Sequence, residues 1–132
     1  FAYDNGWAAE ETAFCDWALE AIRETLNLFR EKFLKAFDAC VTDRMAKTPG
    51  FKEWYLGSVM TDTAAYAGTE LIRRTVGMAQ VKDVTTISDP DKRAYCERLN
   101  VLCAKAYILN RAAFQTGEDF LEAVRKAAEA AK

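Results

Sequence analysis

Glu70, Arg73 and Arg74 fall in one short run, ELIRRTVG, from Glu70 to Gly77. Two adjacent guanidiniums carry permanent positive charge. Their planar, paired N–H donors match the oxygens of phosphate or carboxylate. Diverging from one helix, they can grip two sides of a single anionic group. Neighbouring helix residues point about 100° apart, so both arginines cannot lie opposite an apolar stripe containing Leu71, Ile72 and Val76. The plainer reading makes them surface cations bonded to Glu70 and to a neighbouring helix. Glu70 and Arg74 stand at i,i+4 in the favourable order. Spacing alone leaves both readings open. Asp62 raises a related question, because it sits among Met60, Ala64, Ala65 and Tyr66, where a charge needs a reason. Arg73 lies three turns further along the same face, with Thr69 between. Asp62, Thr69 and Arg73 therefore mark either one polar groove or a helix–helix hydrogen-bond network.

Other chemistry is scarce. The chain has no histidine, which removes the commonest general base and any Ser-His or Cys-His nucleophile pair. Its four cysteines, Cys15, Cys40, Cys96 and Cys103, include no C-x-x-C pair, so a zinc site is not expected. Set among alanines at helix-face spacing, they read as small core residues and as reduced thiols in a cytosol-like compartment. No Gly-x-Gly-x-x-Gly or Gly-x-x-x-x-Gly-Lys-Ser/Thr loop is present to cradle phosphates.

The elements that must position these residues are helical. From about Ala9 to Lys47 neither proline nor glycine interrupts a stripe through Phe14, Trp17, Ile22, Leu26, Phe29, Phe33 and Phe37. Such a rod measures about 55 Å, too long for the remaining chain to cover. Either it kinks, or its aromatic face rests on protein outside this sequence. A turn at Lys47 to Gly50 leads to a second helix, from about Phe51 to Val76, in which Gly57 and Gly68 permit close packing and Gly77 is a stop signal. After a connector, Ser88 or Asp89 caps a third long helix with Pro90 in its first turn, running to about Phe114 with Tyr95, Leu99, Leu102, Cys103, Ala106 and Leu109 inward. Thr116 and Asp119 resemble a shortened capping box before a last helix to about Ala130, whose KAAEAAK tail is expected to fray. The expected fold is all-α: one domain over 1–132, a bundle of about four main helices with a long first helix.

The formal charge is −2, from 18 basic and 20 acidic residues, and the two signs are interleaved. That balance argues against a nucleic-acid binder. No apolar run approaches the roughly 20 residues of a membrane span. Residue 1 is Phe rather than Met, so the chain is expected to be a processed product, a fragment or the ordered part of something longer. An organellar location is expected if a targeting peptide precedes Phe1.

The segment DTAAYAGTELIRRTVGMAQVKDVTTISDP, Asp62 to Pro90, closely resembles the C-terminal part of S-methyl-5-thioribose kinases. The shared pattern is an Asp-Thr start, a small-residue stretch with glycine, Ile-Arg-Arg, Gly-x-Ala-x-Val and a closing Asp-Pro. WALEAIRETLNLFREKFLKAF (Trp17 to Phe37) resembles the long helix before it. FAYDNGW (Phe1 to Trp7) resembles the run after the family's metal-binding region. LNVLCAKAYILNRAAFQTGEDFLEAV is similar to the closing helices. The resemblance implies the C-terminal helical subdomain of a two-lobed, protein-kinase-like fold. It implies an enzyme that uses ATP and magnesium to phosphorylate the anomeric hydroxyl of a methylthioribose sugar in methionine salvage. It places Arg73 and Arg74 at substrate and transferred phosphoryl, which gives the pair a catalytic role, and it leaves room for a homodimer. The nucleotide loop, phosphate-holding lysine, catalytic aspartate and metal-binding acids of the family are not in this sequence. The chain alone is therefore expected to bind neither ATP nor magnesium. Its partners would be the missing N-terminal kinase portion, or another protein on the aromatic face of the first helix. The alternative is a kinase-derived helical remnant that serves as a structural or interaction subunit of a larger assembly.

Overall fold

The computed structural model describes residues 9–78 and 81–132, and no strand occurs among them. The FAYDNGW segment lies outside the described residues. Helix α1 runs unbroken over Ala9–Cys40, 32 residues and about 48 Å at 1.5 Å per residue. It stops about two turns before the expected Lys47. The local chemistry explains the early end. Val41 and Thr42 are β-branched, and the Asp43 carboxylate accepts a hydrogen bond from the Met45 amide at 2.7 Å. Such a side-chain bond offers the backbone an alternative to the helical ladder. A 3-10 turn, Met45–Lys47, follows.

Helix α2 spans Phe51–Thr75, close to expectation. Its buried face is Leu56, Met60, Ala64, Gly68 and Thr75, a stripe of mostly small side chains. The larger Trp54, Tyr66 and Val76 point outward. Gly68 explains the choice. A Cβ there would sit 2.7 Å from Ile108 Cγ1 and 2.9 Å from the Ala104 carbonyl oxygen. The helix opposite comes so close that only the small face of α2 fits it. Gly57 has no such role, since a Cβ there would meet only the Gln115 side chain at an ordinary 3.4 Å.

A one-turn helix, α3 (Lys82–Thr85), lies within the connector and buries Val84. Helix α4 is Pro90–Leu109. Of the two candidate caps, Asp89 is the one used: its carboxylate accepts from the amides of Asp91 at 2.9 Å and Lys92 at 3.1 Å. The helix ends at Leu109, not Phe114, and a 3-10 turn, Arg111–Ala113, takes over. Leu109, expected inward, is consequently exposed, while Cys96, Leu99, Cys103, Ala104 and Tyr107 form the buried face. Helix α5, Gly117–Ala130, opens with the capping box expected of Thr116 and Asp119. Its end does not hang free as expected. The Tyr95 hydroxyl donates to the Ala128 carbonyl at 2.8 Å, and Arg98 Nε donates to the Ala131 carbonyl at 3.0 Å.

The four long helices share one core. Leu56, Met60 and Ala64 of α2 meet Cys103 and Tyr107 of α4, and Phe120 and Ala127 of α5. Phe114, from the turn before α5, completes it, and Leu26, Phe33 and Leu34 of α1 pack against it. Tyr107, Phe114 and Phe120 form a cluster with centroids 5.0–5.2 Å apart, Tyr107 set edge-on to both phenylalanines, the geometry favoured by ring quadrupoles. Helix α1 is fastened to α5 at Gly117. A Cβ there would lie 2.5 Å from the Arg23 carbonyl oxygen, and the Gly117 amide donates to Asn27 Oδ1 at 3.0 Å. The aromatic stripe of α1 is only partly covered. Phe33 stacks on Tyr55 at 5.9 Å and Phe37 meets Phe51 at 6.3 Å, whereas Phe14, Trp17 and Phe29 stay exposed.

Candidate functional site

Arg73 and Arg74 occupy the last turn of α2. The partial negative charge at a helix C-terminus favours cations there. Arg73 donates through Nε to Glu70 Oε2 at 2.7 Å and through Nη2 to Glu70 Oε1, a bidentate pair. Arg74 turns the other way, donating through Nη2 to Asp83 Oδ2 of α3 at 3.2 Å, with Nη1 3.8 Å from Glu70 Oε1. The two guanidiniums thus diverge, as adjacent helical positions require, yet both reach the same glutamate. Hydrogen bonding from Arg73, more than the charge of either arginine, holds the Glu70 carboxyl below its ordinary range. The Arg73 guanidinium is held above its own by the same bond.

All four side chains are substantially exposed, 41–67%. Their charges cancel: two arginines face two carboxylates. This is the geometry of the plainer reading, surface cations bonded to Glu70 and to a neighbouring helix. Donor capacity nevertheless remains. Among the described residues, neither Arg73 Nη1 nor Arg74 Nε has a hydrogen-bond partner.

Asp62 does not join this group. It is exposed and makes no hydrogen bond or ion pair with the described residues. Eleven helical residues separate it from Arg73, about 16 Å along the axis, so one small group cannot touch both. Thr69, between them, spends its hydroxyl on the Tyr66 carbonyl at 2.9 Å. Asp62 and Arg73 share a face but do not touch each other.

Glu70 also borders an apolar cleft of about 700 Å³ between the first half of α1 and the layer formed by α2, α4 and α5. Cys15, Leu26, Ala67, Leu71 and Phe120 supply apolar walls, and Asn100 joins Glu70 as a polar margin. Asn100 Nδ2 donates to Thr75 Oγ1 at 3.1 Å, which ties α4 to the arginine end of α2. Sequence reasoning missed Asp83 and Asn100. Neither carries a local signal, because each meets its partner only after the chain has turned back on α2.

For magnesium the described residues do not fit: no group of three or more His, Cys, Asp or Glu among them is placed to hold a metal ion.

The fold and site define an all-helical bundle with a charge-balanced arginine pair at one helix end. Its sequence relatives are more particular. Over 91 residues, 69% of this chain, it is 37% identical to a methylthioribose kinase of Erwinia tasmaniensis. Over 108 residues, 82% of the chain, it is 34% identical to that of Enterobacter sp. strain 638. Methylthioribose kinase 2 of Oryza sativa subsp. japonica is 29% identical over 125 residues. The resemblance to this kinase family is thereby shown, and it takes in most of the chain. The chain spans only about a quarter of these relatives, 23%, 27% and 29% of their lengths. No family model and no solved structure matches the chain.

Proposed function

We propose that this chain is the C-terminal helical portion of an ATP-dependent S-methyl-5-thioribose kinase of methionine salvage, and that Arg73 and Arg74 contribute its substrate and phosphoryl contacts. The observation that carries this reading is the similarity to methylthioribose kinases along 82% of the chain at 34% identity. Nucleotide binding, metal binding and proton abstraction fall to parts of the enzyme outside this chain, so the chain alone is inactive. Its own contribution is electrostatic. Negative charge builds on the oxygens of a phosphoryl group in transit, and pre-positioned guanidinium donors offset it. Arg73 Nη1 and Arg74 Nε supply such donors, and Glu70 and Asp83 hold the two side chains in their diverging directions. We assign the chain to a reducing compartment, because its cysteines stand at helix-face spacing among alanines and three of them, Cys15, Cys96 and Cys103, are buried as small core residues.

A second reading is favoured by the exposed aromatic side chains Phe14, Trp17, Phe29 and Trp54. It makes the chain a kinase-derived interaction subunit. One experiment separates the two. The matching segment of the Enterobacter kinase is replaced by this chain, and sugar phosphorylation is measured. Turnover in the chimera, with a loss of more than about tenfold on Arg73→Ala, supports the kinase reading. A folded but inactive chimera, or an active one indifferent to Arg73→Ala, removes the role given to the arginines.

A further inference from the structure

We infer that Glu70 sets the anion affinity of the arginine pair by competing for it: the carboxylate occupies the two guanidiniums until an incoming anionic group takes its place. The inference rests on the proposed reading of Arg73 and Arg74 as a phosphoryl contact. Three observations carry it. Glu70 reaches both arginines at once, bidentate on Arg73 and 3.8 Å from Arg74 Nη1, whereas Asp83 touches Arg74 alone. With both acids in place the four side chains sum to zero charge, so the pair presents no net attraction to an anion. Glu70 is also 49% exposed and borders the open cleft, so its carboxylate can swing into water without leaving a buried charge unpaired.

Glu70 is on this account a positioning residue with a second duty. At rest it holds the guanidiniums apart and oriented. An anion first meets Arg73 Nη1 and Arg74 Nε; the Nε and Nη2 donors of Arg73 then transfer from Glu70 to its oxygens as well, and the carboxylate is released to solvent. A surface ion pair contributes little to stability, which is what makes the exchange feasible. A buried pair would resist it.

The test is titration of the 132-residue chain with inorganic phosphate at low salt, followed through the Nε–Hε resonances of Arg73 and Arg74. Glu70→Gln keeps the side-chain shape and removes the competing charge. It should tighten phosphate binding by about threefold to tenfold, the order expected for one unit charge at contact in a water-like medium. Asp83→Asn makes the same change in net charge but frees one arginine only, so its effect should be smaller. Arg73→Ala should abolish the gain. If the wild-type chain binds phosphate through the arginines and Glu70→Gln binds no tighter, or no tighter than Asp83→Asn, the competition idea is wrong while the phosphoryl reading survives. If neither the wild type nor Glu70→Gln shifts either resonance, both fall. Helical circular dichroism of each variant confirms that the comparison is made on folded protein.

Discussion

Adjacent arginines are usually read as one feature, but at this helix end they behave as two. Arg73 is absorbed by a glutamate of its own helix, and Arg74 by an aspartate of the next. Glu70 was legible, because i+3 and i+4 partners follow from helix geometry. Asp83 was not, because nothing local fixes where the chain travels after Gly77. Asp119 shows the opposite case, a role visible three residues away. Its burial disfavours the charged form. The Thr116 hydroxyl, the amides of Gln115 and Thr116 and the charge of Arg30 outweigh that and hold its carboxyl below the ordinary 3.8. With the folded value depressed, this group's contribution to stability is present above the unfolded value and is lost as pH falls through the folded one. Asp119→Ala should cost about 1 kcal/mol at neutral pH in urea melts. It should also remove part of the acid sensitivity below about pH 4; an unchanged acid limb would contradict the assignment. The cysteines separate as cleanly. Cys40 is exposed, and Cys15, Cys96 and Cys103 are buried, with burial raising the Cys103 thiol further despite its bond to Tyr107. A thiol-reactive dye should label one site rapidly in the native chain, at Cys40, and four only after denaturation.

At the scale of elements, caps were easier to read than faces. Asp89-Pro90 and Thr116-Asp119 are chemically explicit, and both begin helices where expected. The inward side of α2 was obscured by its aromatics. Trp54 and Tyr66 look like core residues, yet the core lies on Leu56, Met60 and Ala64, because the α2–α4 crossing at Gly68 is too close for larger groups. Hydrophobicity identifies which residues can be buried; the distance of the opposing backbone decides which ones are. Gly68→Ala should accordingly cost about 1–3 kcal/mol, although alanine is the better helix former. Equilibrium unfolding measures it, and a neutral or stabilising result would mean that the crossing relaxes freely.

At the scale of the molecule, the parts differ in how much they depend on one another. Helices α2, α4 and α5 enclose the main core, with Met60 wholly inaccessible to solvent at its centre. Helix α1 joins through Leu26, Phe33 and the Gly117 contact, and its first half lines one wall of the cleft. Its length was overestimated in the sequence by seven residues, since Asp43 ends the regular structure sooner than apolar periodicity suggests. The mismatch between a long aromatic helix and a small bundle was legible and remains: part of the ring surface is covered by α2, and the rest faces water.

That arrangement gives the chain an optical property. Trp17 and Trp54, two of its three tryptophans, are 63% and 64% exposed. Their emission should already resemble that of indole in water, and iodide should quench it strongly. Urea will therefore change the emission of these two rings little, and a flat melt of their signal would not signify an unfolded starting state. The useful change runs the other way: any surface that comes to rest on these rings should shift their emission to the blue and shield them from the quencher.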